Sequence, residues 1–471
     1  MGRVSADRPI NADVEGQQEP PEPVEEPKET EERPKEAPRE KPTPKPAEPR
    51  RRRRGIPGPI KLITVLILIA VGFIVLAITV GGGGSNKDEG AAPSVKTTTV
   101  VTGESEGSSA DEDSEADQSS AGSTEELGYP SFATSNTTRI GGPDPTSNAA
   151  AATLAVFPGT NEKQRPVAVA LVGTEDWAGA IAAAVLMAEP IRAPLLFGEA
   201  EGVPEPTAEA LGTLQPHGGA ASGGKAVFAV GDVQVPNGMS AAKVAPGDAA
   251  TEAAAIARLR DRIAGGKPEA VLLASSSEPA FAAPAAAYAA RSGDPVLFTE
   301  AKELPRETVA ALRRYKGVPV YALGPGSAIS GKVLKEVGEV AGGEVQRISG
   351  DNPVAASISF ARFDDGKFGW HVTDPGHGFV LVRSDSPQEA AAAAPLSASG
   401  TWGPLLLTDS ADTLPSELRG YFLDVKPGYT TDPTRAFYNH VWIVGDAGQI
   451  SVEQQAEVNE VAELAKIGSE E

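Results

Sequence analysis

The chain has no cysteine among its 471 residues. Disulfides, thiolate nucleophiles and most soft-metal sites are thereby excluded, and whatever folds must be held by core packing. Basic residues are also short: 42 Lys and Arg stand against 64 Asp and Glu, a formal net charge of −22. Such a balance argues against nucleic acid as a partner and against tight contact with an anionic surface. Signatures of catalysis are missing too: the one Gly-x-Ser-x-Gly match, Gly103 to Gly107, lies in a Ser- and acid-rich linker and is no strand-to-helix elbow, and there is no His-Glu-x-x-His helix. The stretch Gly324-Pro-Gly-Ser-Ala-Ile329 lacks the third glycine of a dinucleotide loop, and His217-Gly-Gly-Ala220 reads as a simple loop. His371 and His377 would need a third ligand such as Asp374 to hold a metal. Their segment is rich in turn residues, so it is read as a solvated loop. No enzyme activity, metal or cofactor is expected.

What is present falls into unequal parts. Residues 1–58 are dominated by Pro, Glu, Lys and Arg and read as a disordered tail. The five arginines Arg50–Arg54 then precede an uninterrupted apolar run, Leu62 to Val80, long enough to span a bilayer. A transmembrane helix over 59–80 is expected, with the tail cytoplasmic by the positive-inside rule and the remainder extracytoplasmic. The arginines would meet inner-leaflet head groups, and no cytoplasmic partner of the tail is identified. A cleaved signal peptide is the competing reading, but its charged region would be far shorter. Residues 81–138, rich in Gly, Ser, Asp and Glu, read as a flexible, self-repelling linker.

The remaining two-thirds repeat one pattern three times at a period of roughly 105 residues. Each copy opens on a basic residue: Arg139 in RIGGPD, Lys243 in KVAPGD, Arg347 in RISGD. An Ala-rich stretch follows, then an apolar run (Val167 to Val172, Ala270 to Ala274, Phe379 to Val382), a polar turn and a second Ala-rich stretch. Next come Pro194-Leu-Leu-Phe197, Pro295-Val-Leu-Phe298 and Pro404-Leu-Leu-Leu407, then the pairs Val203-Pro204, Leu304-Pro305 and Leu414-Pro415. Runs ending at Gly231, Gly324 and Gly445 close the pattern. The copies are bounded at 139–242, 243–346 and 347–471.

Short apolar runs alternating with Ala-rich stretches predict an α/β fold of βαβ units around parallel sheets. For the second copy the spacing predicts helices over 252–263, 279–291, 306–315 and 330–340 and strands over 270–274, 295–298 and 318–323. Three copies without linkers suggest packing about a pseudo-threefold axis, with an open solenoid as the alternative. Ala183, Ala184, Ala286, Ala287, Ala392 and Ala393 are read as close-packing positions.

Candidate ligand contacts are the polar turns after the first apolar run: Thr174 to Asp176, Ser275 to Glu278 and Ser384-Asp385-Ser386. They fall at the carboxyl edge of the expected sheets, where α/β folds place ligands. The alternative is that they only cap helices. The recurring Arg139, Lys243 and Arg347 admit two roles. Each pairs with the carboxylate that follows it (Asp144, Asp248, Asp351), the reading favoured here, or the three present donors to a repeating anionic polymer.

The repeats resemble the cell-wall-binding repeat 2 family. The resemblance rests on Arg347-Ile-Ser-Gly-Asp351, Glu389 to Leu396, Gly403 to Thr408, Leu414-Pro415 and Val441 to Asp446, with Glu278 and Pro284 in the second copy. It covers about Arg139 to Leu464. The family's second Arg and its Tyr are absent from every copy, and Gly179 stands where the family carries an acid. The resemblance implies three Rossmann-like modules packed together and non-covalent binding of an anionic wall polysaccharide or peptidoglycan-associated polymer, with Glu389 among the site residues. The expected function is thus a membrane-anchored, extracytoplasmic cell-wall-binding protein. A wall-remodelling enzyme or its accessory subunit, and an envelope sensor or scaffold, are the alternatives.

Overall fold

The computed structural model describes residues 132–468 apart from Thr401. The expected tail at 1–58, the expected membrane span at 59–80 and the expected linker up to residue 131 lie outside the described residues. Among those described, no helix is long and apolar enough to cross a membrane.

The three apolar runs become the central strands Val169–Gly173, Val271–Ser275 and Gly378–Arg383, buried along nearly their whole length. A run without polar alternation needs cover on both faces, which a parallel sheet flanked by helices provides. The Pro-led tetrads supply one neighbour, Leu195–Gly198, Val296–Thr299 and Leu405–Thr408. The runs ending in glycine supply the other, Val227–Val230, Val320–Leu323 and His440–Val444.

The fourth strand of each sheet comes from a different copy. Ala241–Val244 pairs in parallel with Val227–Val230, Val345–Ile348 with Val320–Leu323, and Thr137–Ile140 with His440–Val444. These strands carry Lys243, Arg347 and Arg139. The opening residue of a copy therefore completes the sheet of the copy before it, and the first copy completes the sheet of the last. Sequence repeat and sheet are out of phase by one strand, and the chain closes on itself at Thr137–Ile140. The short strand Phe132–Ala133 adds antiparallel to its outer edge.

After each opening strand the chain turns into a helix capped by a side chain. Asp144 accepts from the backbone N–H of Thr146 and Ser147, Asp248 from Thr251, and Asn352 from Ala355. The helices Pro145–Val156, Ala249–Ala264 and Pro353–Arg362 then pack against the tetrad strand of their own copy. A strand in one module followed at once by a helix on the next interlocks neighbours.

The helices Trp177–Ala183, Pro284–Ser292 and Pro387–Ala398 contact one another pairwise. Ala183, Ala286, Ala287, Ala392 and Ala393 are wholly buried in them, their methyl groups allowing close approach of the helices. The helix expected over 279–291 is two helices, Pro279–Ala282 and Pro284–Ser292, because Pro284 has no N–H to continue the ladder. Two further differences matter below. The helices Gly331–Ala341 and Val452–Ala462 that follow the third strand in the second and third modules have no counterpart in the first, where residues 231–240 run directly to Ala241–Val244. The segment read as a solvated loop, Trp370 to His377, also buries Trp370 and Val372, as the residues just before it bury Phe368. Phe368 stacks on Tyr321 with centroids 3.6 Å apart, and Trp370 meets Tyr288 edge-on, so this segment fastens the second module to the third.

Candidate ligand site at the sheet edges

The basic residues do not pair with the carboxylates that follow them. The Arg139 guanidinium is buried and donates all five of its N–H groups within the third module. Nε donates to Gln455 Oε1 at 2.9 Å, Nη1 to the carbonyls of Gly445 (2.9 Å) and Asp446 (2.8 Å), and Nη2 to those of Ile450 (2.6 Å) and Ser451 (3.3 Å). Burial draws its pKa down, opposed by Asp446. Arg347 repeats part of this, donating to the carbonyls of Gly324 and Ile329 at 2.6 Å each. Lys243 is exposed. Asp144 and Asp248 are helix caps, and Asp351 is exposed. The arginines hold the loop after the third strand of the preceding module, a structural duty that leaves Arg139 no donor for a ligand.

That loop, the turn after the central strand and the ninth residue past the basic one converge at the carboxyl edge of each sheet. In the third module they bring together Gln449, Glu389 and Asn148. Glu389 is buried, and its Oε1 accepts from Asn148 Nδ2 at 3.1 Å and from Gln449 Nε2. Asn148 Oδ1 accepts from Gly142 N–H and Gln449 Oε1 from Asp446 N–H, which closes the network onto the loop that Arg139 holds. In the second module the same place is apolar: Phe281 lies over Gly324, with Ala356 and Ile348 beside it. In the first module it is open. A cavity of about 570 Å³ is lined there by Thr174, Glu175, Asp176, Glu199, Asp232 and Glu252, among others, with no basic residue in its wall.

Of the polar-turn candidates, Asp176 and Thr174 therefore line a cavity together. Asp176 Oδ1 also caps its helix by accepting from Gly179 N–H at 2.8 Å, so cap and cavity wall are one residue. Ser275 is buried with its hydroxyl 3.2 Å from that of Ser277, and Glu278 is exposed. Asp385 pairs with Arg383 at 2.8 Å beside Ser384. His371 pairs with Asp364 and His377 with Asp374, and among the described residues no group of three potential ligands could hold a metal. Sequence reasoning missed Glu252, Asn148 and Gln449. The constant offset of nine from Arg139 to Asn148, Lys243 to Glu252 and Arg347 to Ala356 was the signal that could have found the first two.

Glu252 is 3% exposed, and its Oε1 accepts from Gly247 N–H at 2.8 Å. Burial, and then the neighbouring Asp176, push its carboxyl up to about 8. The other charges around it, Asp248, Glu175, Glu199 and Asp232, are all acidic. Between the usual glutamate range and pH 8 the folded state thus holds a proton that the unfolded chain has released, so stability falls as pH rises through that window. Glu252→Gln keeps the neutral form at every pH. The variant is expected to melt about 2–4 °C above the parent at pH 8 and level with it at pH 4, in thermal scans across that range. Equal melting at pH 8 would show that Glu252 is not held protonated.

No protein-family model and no curated protein matches the chain. Among solved structures it is similar to Cwp8 from Clostridium difficile, at 18% identity and a TM-score of 0.54 over 69% of this chain and 52% of that one. It is also similar to Cwp6 from Clostridium difficile, at 16% identity and a TM-score of 0.52 over 71% of this chain and 49% of that one. The chain spans about half the length of these structures, and at such identity what the likeness shows is a common fold.

Proposed function

We propose that this chain is a membrane-anchored, extracytoplasmic protein that attaches non-covalently to a cell-wall polymer and performs no catalysis. The observation that carries the reading is the threefold recurrence of the repeat pattern in a fold shared with Cwp8 and Cwp6. The pairwise contacts of the three Ala-rich helices support a pseudo-threefold arrangement of the modules. The arginine-flanked apolar run at 62–80 supports the anchor. Because Arg139 and Arg347 are committed to backbone carbonyls, contacts to an anionic polymer fall to accessible groups such as Lys243 and the turn at Ser384.

Pelleting of residues 132–471 with wall sacculi, with and without their acid-extractable polymers, tests the reading. Starting at 132 keeps the strand Thr137–Ile140 that the third sheet needs. Co-sedimentation that disappears with the extractable polymer is expected; no pelleting with either preparation would remove the proposal.

A further inference from the structure

We propose that the first module carries a docking groove for a basic, aliphatic-striped helix of a partner protein, at the place where the other two modules seat a helix of their own. The inference does not rest on the wall-polymer reading.

Each module has a helix between its tetrad strand and its third strand: Glu205–Leu214, Arg306–Arg314 and Ser416–Asp424. All three start behind a proline, Pro204, Pro305 or Pro415, which gives them a common register. The hydroxyls of Thr207 and Thr308 agree with it, donating to the carbonyls of Phe197 and Phe298 at 2.6 Å each. Counted from the prolines, Ala208 matches Val309 and Arg419, Gly212 matches Arg313 and Leu423, and Gln215 matches Lys316 and Lys426. In the second and third modules the helices Gly331–Ala341 and Val452–Ala462 pack on this element. Arg419 approaches Glu457 at 3.9 Å and Glu460 at 4.0 Å, Lys426 Nζ donates to the Glu460 carbonyl at 3.0 Å, and the Lys316 stem lies against Gly342. These positions therefore face the covering helix. In the first module no helix follows Val227–Val230, and Ala208, Gly212 and Gln215 line a groove of about 490 Å³ instead. Val203, Leu211 and Met239 give it apolar walls. Ala208 and Gly212 are exposed, and a Cβ at Gly212 would meet nothing within 4 Å.

The two sibling helices show what shape fits there. Gly331–Ala341 buries Val333, Val337 and Ala341, and Val452–Ala462 buries Val458, Val461 and Ala462, each a short aliphatic stripe. The charges at the groove then set the sign of the occupant. In the third module a basic residue, Arg419, meets glutamates of the covering helix. In the first the polarity is reversed: exposed Glu205 and Glu209 lie one turn from Ala208 and Gly212, and their helix holds no basic residue. Arg165, bonded at the groove, is taken by Gln215 Oε1 at 2.6 Å and the Gly159 carbonyl at 3.0 Å. A covering helix with Lys or Arg on its flank is complementary, and one with the siblings' glutamates is repelled. The chain itself does not supply such a helix. Residues 81–131 hold only Lys87 and Lys96 among many acids, the arginines at 50–54 fall beyond the expected membrane span, and a second copy brings the same acidic rim.

Fluorescence anisotropy of a labelled peptide titrated with the full-length chain tests the proposal. The probe is residues 329–343 of this chain carrying Glu336→Lys and Glu339→Lys, with the unchanged peptide as its charge control. Saturable binding of the recharged peptide is expected, about tenfold weaker for the unchanged peptide and for Ala208→Arg, which puts into the groove the side chain that Arg419 supplies in the third module. Joint Glu205→Lys and Glu209→Lys replacement should reverse the preference between the two peptides. All three positions are exposed, so the fold is retained, and a melting curve on each sample verifies it. No saturable binding of the recharged peptide, affinity unchanged by Ala208→Arg, or a preference that ignores the two glutamates overturns the proposal. Because the chain has no cysteine, Gly212→Cys places a single thiol in the groove and reports on other occupants. It is expected to be alkylated by iodoacetamide as fast as the exposed Asp374→Cys. Protection that is independent of concentration would assign the groove to the chain's own N-terminal segment, and protection that grows with concentration to a second copy; either overturns the proposal.

Discussion

Arg139→Gln is expected to destabilise the folded region by about 3–5 kcal/mol, Arg347→Gln by about 1–3 kcal/mol, and Lys243→Gln by nothing measurable. At ~2–4 °C per kcal/mol for a large domain, the first change lowers the melting temperature by about 6–20 °C. The order follows from what each residue leaves behind. Losing the Arg139 guanidinium strands the buried carbonyls of Gly445, Ile450 and Ser451 and the partly buried one of Asp446, together with Gln455 Oε1. A glutamine is shorter and offers two donors on one nitrogen. Arg347, half-buried, strands two carbonyls, and the exposed Lys243 strands none. Thermal or denaturant unfolding of the three single variants gives the series. Equal losses at all three positions would mean that the residues share one role, as their even spacing suggests. The series also decides how wall binding can be probed: a triple substitution would confound affinity with folding, whereas Lys243→Gln alone reports on contact.

Much of this architecture is legible in the sequence, because the signals are local. Val271 to Ser275, Val296 to Thr299 and Val320 to Leu323 are strands where short apolar runs place them, and the four helices of the second copy differ mainly at their ends and at Pro284. The recurrence of Arg139, Lys243 and Arg347 is equally plain. Their partners are not, since the carbonyls that Arg139 meets lie more than 300 positions away in the chain. Lys243 departs from the other two for a physical reason. In the second and third modules the loop after the third strand turns through Ile329-Ser330 or Ile450-Ser451 into a helix capped by that serine, and this turn aims carbonyls at the guanidinium. Residues 231–240 form no such helix, so no acceptor cage is built. The same omission leaves the Asp176 and Glu252 edge open. Reading the polar turns as caps or as ligand contacts could not be resolved from residue types, because Asp176 is at once a cap and a cavity wall.

Deleting residues 132–144 is expected to unfold the third module while leaving the first two modules largely folded. Among the described residues Thr137–Ile140 is the only strand covering the edge of His440–Val444 on that side, in parallel register from Thr137 opposite Val441 to Ile140 opposite Val444. With it go the wholly buried Ile140, the Arg139 cage, the Gln455 Nε2 bond to Thr137 at 2.9 Å, and the bonds from Thr134 and Asn136 to Asn459. Each loss exposes apolar surface or leaves buried polar groups unmatched, and together they exceed the few kcal/mol that a single module can spare. Hydrogen exchange read by mass spectrometry should show protection lost over 378–383, 405–408 and 440–444 and retained over 271–275 and 320–323. Because the missing strand is a contiguous peptide that docks by backbone pairing, a synthetic peptide of residues 132–144 added in trans should restore protection in the third module at saturating concentration. Unchanged protection after the deletion would show that the third module does not need the first copy's strand. Protection lost evenly from all three sheets would show instead that the modules fold as one cooperative unit, with the closing strand holding the whole cycle.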